Sequence, residues 1–223
     1  MAQAGIHGLV GMAVRKLFPT RTWLMLGILL GSLLPDADNL LVAVATVMKK
    51  STEGLHRTFS HSLFFAVALL AIFWLVGQVT RQAHWTNLGF GLAVGVVLHS
   101  ALDILIWFNG VEILWPLPSW INLWAWFTVP AWFDKLMLSA EFLFFALFFY
   151  GLDWFARARG TDNGYLKTLR VWTIVQAVFF ILFTVLVYVM SMGFMTIYGA
   201  VYLLSLFLAI GITIRMRQTV EAI

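Results

Sequence analysis

Apolar residues run in long blocks along this chain, separated by short polar clusters. Blocks bounded by charged or turn residues lie at about 3–18, 22–34, 61–79, 87–108, 134–156, 170–191 and 194–214. A helix rises about 1.5 Å per residue and the hydrocarbon core of a bilayer needs roughly 20 residues, so the last four blocks are long enough to cross. The first two are short. "TWLMLGILLGSLLP" is expected to stop at Pro35, and "AGIHGLVGMAVRKLF" is interrupted by glycines and a histidine. Each is expected to cross only part of the hydrocarbon, packed against its neighbours. The run Leu40 to Lys50, too short for a span and following a proline-aspartate turn, is expected to form a short helix along the outer interface. The pattern predicts an all-α polytopic membrane protein with six or seven membrane helices. With no internal repeat and no linker, residues 1–223 form one membrane domain.

Composition strengthens this reading. Charged residues make up 11% of the chain, against about 25% in a soluble domain, and the mean hydropathy is +0.92. The net charge of +4 raises the question of nucleic acid, but the basic residues sit in short clusters between apolar blocks and build no continuous patch. They act instead as topology signals. With the N-terminus outside and alternating spans, Arg15, Lys16, Arg21, Arg81, Arg157, Arg159, Lys167, Arg170, Arg215 and Arg217 fall inside, and Lys49, Lys50, Arg57 and Lys135 outside. The excess of inside charges favours N-out, C-in. The first charges follow the first apolar block, opposite to the order in a cleaved signal peptide, so the N-terminus is expected to be retained. Residues 107–132 hold six of the eleven tryptophans and three of the five prolines, which suits a loop in the outer headgroup region. The chain has no cysteine, which excludes disulfides and thiolate-bound zinc and leaves His, Asp and Glu as metal ligands.

In that topology the metal-capable residues gather at the outer ends of the spans. Asp36 and Asp38 in "LLPDADN" close the second block, His56 and His61 flank the start of the third, His99 and Asp103 in "VLHSALD" lie in the outer half of the fourth, and His7 belongs to the first. Each has a plainer reading. His99 and Asp103 are four apart, so they share a helix face and either bind a ligand or pair within the bundle; ionisable groups inside spans are costly and usually functional. Asp36 and Asp38 also suit a helix cap. His56 and His61, five apart, share no face but can converge from a loop and a helix start. His84 on the other side reads as an ordinary interfacial residue. Glu112 is a further ligand or a general base, and Asp134 and Glu141 are expected to pair with Lys135 or shape the fifth span.

Four imidazoles and three carboxylates exceed the four ligands of one structural zinc, which suggests two neighbouring ions bridged by a carboxylate. Zn²⁺ is the expected metal, with Mn²⁺ the alternative. Two such ions activate water at neutral pH and stabilise charge developing on a phosphoryl or carbonyl oxygen. Arg57 can bind an anionic phosphate or carboxylate through its planar fork. Ser60, Ser62 and Ser100 lie in no nucleophile motif, and H-E-x-x-H is absent.

The four motifs, in this order, resemble a YdjM-like family of LexA-regulated, inner-membrane-associated proteins described as metal-dependent hydrolases. Its members resemble an early His among small residues, "LLPDxDH", "HRGxTHSL" and "SHxxxDxxTxxGxxLLWP"; here the matches are His7, "LLPDADN", "HRTFSHSL" and "LHSALDILIWFNGVEILWP". The resemblance covers about residues 1–118 and implies metal-ligand or catalytic roles for His7, Asp36, Asp38, His56, His61, His99 and Asp103, with Arg57 beside them. Asn39 stands where the family commonly has His, and Thr58 and Ser60 replace Gly and Thr. Residues 134–214, with three further spanning helices, carry no matched motif.

The expected activity is metal-dependent hydrolysis of a lipid or lipid-linked substrate at the outer leaflet of an inner membrane, preferably of a phosphoester, with Asp38, Arg57 and Glu112 as catalytic candidates. A zinc amidase or esterase acting on acyl chains is the alternative enzyme. A metal or proton transporter, or a structural metal staple in an interaction protein, is the alternative without catalysis.

Overall fold

The computed structural model describes residues 4–190 and 192–223, so residues 3 and 191, the ends of two predicted blocks, lie outside it. Nine α-helices are present among the described residues: α1 (Ala4–Ala13), α2 (Leu24–Leu33), α3 (Asn39–Val47), α4 (Leu63–Thr80), α5 (Ala83–Ile106), α6 (Ala131–Arg159), α7 (Leu166–Val189), α8 (Phe194–Arg215) and α9 (Arg217–Ala222). The only strands described are β1 (Val111–Glu112) and β2 (Trp120–Ile121), an antiparallel pair in the tryptophan-rich loop. Six helical stretches are long and apolar enough to cross a membrane.

The second of the predicted blocks differs from expectation. Its α-helix ends at Leu33, before Pro35 as expected, but the helical path continues. Leu34 keeps helical dihedrals and its N–H donates to Leu30, Pro35 opens a tight turn over Pro35–Asp38, and α3 follows directly. Proline suits the first position of a helical turn, where its missing N–H costs nothing. Leu24–Val47 is therefore a single candidate span of 24 residues. The first helix, at 10 residues, is short as expected and is not among the six.

Glycines set the packing that builds the site. On α2 and α5, Gly27 and Gly31 meet Gly91 and Gly95; a Cβ on Gly27 would lie 2.9 Å from the Cα of Gly91, and one on Gly95 would lie 2.6 Å from the Ser32 nitrogen. Both pairs are spaced four apart, the small-residue stripe that lets membrane helices approach backbone to backbone. Helix α1 packs the same way on α6, where a Cβ on Gly5 would meet the Phe144 and Phe145 backbone at 2.6 Å. Phe142, Phe145, Phe148 and Phe149 fill the core beneath, fully buried.

Two carboxylates from the C-terminal half hold helix starts of the N-terminal half. Glu141 of α6 accepts the Gly5 N–H at 3.1 Å. Glu221 of α9 accepts the N–H groups of Trp23 and Leu26 at 2.6 and 3.0 Å. Both satisfy N–H groups that a helix cannot pair internally, where the helix dipole also favours negative charge. Glu141 is thus neither a partner of Lys135 nor a feature of its own span alone; Lys135 lies over the Tyr188 ring instead.

Candidate metal centre

All seven predicted ligands come together. His7 projects from α1, Asp36 and Asp38 from the turn after α2, His56 and His61 from the segment before α4, and His99 and Asp103 from one face of α5. They form three groups whose ligand atoms lie within 4.8 Å of one another: His7, His99 and Asp103; Asp36, His61 and His99; Asp38, His56 and His61. Shared histidines link the groups into one centre. The first two groups are buried, whereas Asp38 and His56 are half-buried and form its open edge.

Local sequence explains each placement. Ser62 caps α4, accepting the Phe65 N–H at 3.1 Å, and so fixes His61 immediately before the helix. Ser100 of α5 donates to the His61 carbonyl at 2.6 Å and ties the two helices together there. Arg57 takes a left-handed backbone, φ 62°, which turns its N–H onto Asp38 at 3.2 Å and its carbonyl onto the Glu112 N–H at 2.9 Å. A non-glycine residue in that region needs such fixing on both sides, and the position is typical of functional sites.

Hydrogen bonds behind the rings set their tautomers. His99 Nδ1 lies 2.8 Å from the Ser32 carbonyl, which only accepts, so Nδ1 carries the proton and Nε2 a lone pair. His61 Nδ1 faces Ser60 Oγ at 3.0 Å and Asp38 Oδ2 at 3.3 Å, while the Ser60 hydroxyl itself donates to Asp38 at 2.8 Å. Its proton is likewise on Nδ1. The two Nε2 atoms then face each other at 3.2 Å with no proton between them. His56 Nδ1 donates to Asp38 Oδ1 at 2.7 Å, leaving its buried Nε2 without a partner. A ring nitrogen held by a carboxylate or carbonyl with its other nitrogen turned inward is the usual arrangement of a metal-bound histidine.

The carboxylates complete a cradle. Asp36 is fully buried and neither oxygen meets a hydrogen-bond donor. Its Oδ1 lies 4.0 Å from His61 Nε2 and 3.8 Å from His99 Nε2; Asp103 Oδ2 lies 3.5 and 3.7 Å from the same atoms. Ligands about 2.0–2.1 Å from a tetrahedral ion are separated by about 3.3 Å, so His61, His99 and either carboxylate need only a modest contraction to share one. Asp103 Oδ1 is 3.2 Å from His7 Nε2, which places a second possible pair of ligands beside the first set. Three ionised carboxylates against the Arg57 guanidinium would leave two negative charges in a largely buried cluster, which a bound cation or a carboxyl proton would compensate.

The model of the YdjM inner membrane protein family matches residues 1–194. The chain belongs to this family. No curated protein and no solved structure matches it. The YdjM match reaches beyond the motif-bearing first half into α6, α7 and the start of α8, and with the six apolar helices it makes this a multi-pass membrane protein.

The remaining candidates fall outside the cradle. Glu112 is in none of the three groups; its backbone pairs with Arg57. Arg57 is buried, with Nε 3.6 Å from Asp103 and Nη1 donating to the Asn109 carbonyl at 3.1 Å. His84 packs edge-on against Trp23, away from the centre. Asn39 lies beside the same edge, its amide 3.4 Å from Asp38 and 3.5 Å from His56. Sequence reasoning did not assign Glu141 its capping role; the small-residue spacing in α2 and α5, a signal it did not use, marks the packing that joins Ser32 to His99.

Proposed function

We propose that the protein is a membrane-embedded, metal-dependent hydrolase acting on a lipid-like phosphoester. The carrying observation is the pair of inward, deprotonated Nε2 atoms of His61 and His99 facing Asp36 and Asp103 in a buried cluster. Asp36, His61 and His99 would hold one ion, zinc by donor chemistry, with manganese the alternative. His7 and the second oxygen of Asp103 would hold another. A metal bound there supplies Lewis acidity and an activated water.

The chain's own groups do the positioning. Asp38 accepts from His56, His61, Ser60 and the Arg57 backbone, so it orients both imidazoles from behind. Arg57 stabilises Asp103 and brings positive charge to the place where an anionic oxygen would arrive. The half-buried edge at Asp38 and His56 is the approach for substrate. In the N-out topology favoured by the basic residues, that edge belongs to the outer leaflet. Because the three ligand groups share residues and form one centre, a hydrolytic site suits them better than the ladder of separate sites a transport path requires.

The test is product analysis on detergent-purified, metal-loaded protein with phospholipids. Release of phosphate or a phospho-headgroup, lost in His99→Ala with the helical fold kept, is expected. Release of free fatty acid would move the reaction to ester or amide hydrolysis. No turnover of any lipid, with the metal bound, would overturn the enzymatic reading.

A further inference from the structure

A cavity of about 420 Å³ opens between α3 and α8. One wall is a single face of α3, formed by Asn39, Val42, Ala43, Thr46 and Val47, whose spacing of three and four residues is that of a helix stripe. The other wall is the first turns of α8, around Met195, Gly199 and Leu203. Its size is that of a small-molecule site, and its lining is mostly apolar with a few polar groups.

Three features connect this cavity to the metal centre. Asn39 belongs to both, since it lines the cavity and its amide lies against Asp38 and His56. Tyr202 also lines it, is almost fully buried, and has a hydroxyl with no hydrogen-bond partner. Third, both walls are parts of candidate membrane spans. A buried hydroxyl without a partner is costly in hydrocarbon.

We infer that this cleft holds one hydrocarbon chain of the lipid substrate, bound between α3 and the first turns of α8 beside the Asn39 edge of the metal centre. The distance available along α3 from Asn39 to Val47 is about 12 Å at 1.5 Å per residue. The inference rests on the hydrolase reading for the chain's belonging to a substrate, and on the cleft alone for where the chain lies.

The probe is phosphatidic acid carrying a diazirine on its acyl chain, photolysed with the full-length protein in detergent and mapped by peptide mass spectrometry. Labelling of Val42, Ala43, Thr196 and Leu203 well above that of Ile174, Ile181 and Val185, which line the exposed face of α7, is expected. Gly199→Phe fills the cleft. A Cβ at Gly199 meets nothing within 4 Å, and replacing a helix glycine does not disfavour the fold. In this variant cleft labelling should drop to the α7 level, whereas Gly211→Phe, on the same helix and equally open, should leave it unchanged. Wild-type labelling no stronger in the cleft than on α7, or cleft labelling that survives Gly199→Phe, would overturn the inference. Metal content measured on the same samples separates the two readings. Cleft labelling in a protein that binds no metal would remove the hydrolase and keep the chain site; a metal-loaded protein without preferential labelling would remove the chain site and keep the metal centre.

Discussion

The Nε2 atoms of His61 and His99 face each other at 3.2 Å, each ring committed on its far side to an acceptor. Two lone pairs at that distance repel unless a cation lies between them. The protein is therefore expected to bind metal as purified without chelator, at one equivalent or more by elemental analysis. His61→Ala and His99→Ala together should remove it from a protein whose helical circular dichroism is unchanged. A wild type without metal, even after metal is added back, would refute the centre.

Removing the ion should leave a buried, uncompensated cluster. Ligand linkage gives roughly 3 kcal/mol at a hundredfold excess of metal over its dissociation constant, and each kcal/mol shifts the midpoint by about 2–4 °C in a chain of this size. Chelator should lower the thermal midpoint by about 6–12 °C, and the double histidine variant should show no such response. An unchanged midpoint in the wild type would argue against a stabilising ion.

Asp38 stands behind two imidazoles rather than in the cradle itself. Asp38→Asn keeps its shape but replaces one acceptor oxygen by a donor, so His56 or His61 loses its fixed tautomer. Metal affinity should fall about 10–100-fold with the fold intact, measured by titration with a zinc-sensitive dye. An affinity equal to wild type would assign Asp38 a capping role only.

His56 lies outside the spans, and burial lowers its pKa below the ordinary 6.5, against the opposing pull of Asp38. A folded pKa below the unfolded one contributes stability that is fully present above about pH 6.5. It is lost as the pH falls through the folded value. Metal retention falls in the same direction, because protonated imidazole cannot bind an ion. The thermal midpoint and metal content should both decline on acidification from pH 7, and His56→Asn should flatten part of the midpoint slope. A midpoint that rises toward acid would contradict the assignment.

Gly95→Ala should separate α2 from α5 at the turn where Ser32 holds His99. The added Cβ would lie 2.6 Å from the Ser32 nitrogen and 2.7 Å from the Gly31 carbonyl carbon. Overpacking of this kind costs about 1–3 kcal/mol, so both thermal stability and metal content should fall. Gly211→Ala, with nothing near its Cβ, serves as the neutral comparison. Equal behaviour of the two variants would mean that the helix approach does not position His99.

Much of the site was legible because its signals are local. His99 and Asp103 are four apart on one helix, and "HRTFSHSL" carries its own helix cap at Ser62. Pro35 marks the end of α2, but nothing local announces that a tight helical turn carries the chain straight on into α3. Glu141 and Glu221 gave no usable signal, since their partners lie 136 residues and nearly 200 residues away in sequence. The cleft was equally hidden, because its two walls are ordinary apolar stretches until the fold sets them side by side.

Those two distant carboxylates bear on what kind of unit the family's motifs define. Every proposed ligand precedes residue 104, so a gene fragment ending near residue 118 would encode the complete ligand set. It would lack Glu141 and Glu221, and with them the contacts that secure the starts of the helices bearing His7 and leading to Asp36. The motif-free helices are thus the frame against which the reactive half is aligned. A transplanted motif region would transfer the chemistry's ingredients without their registration.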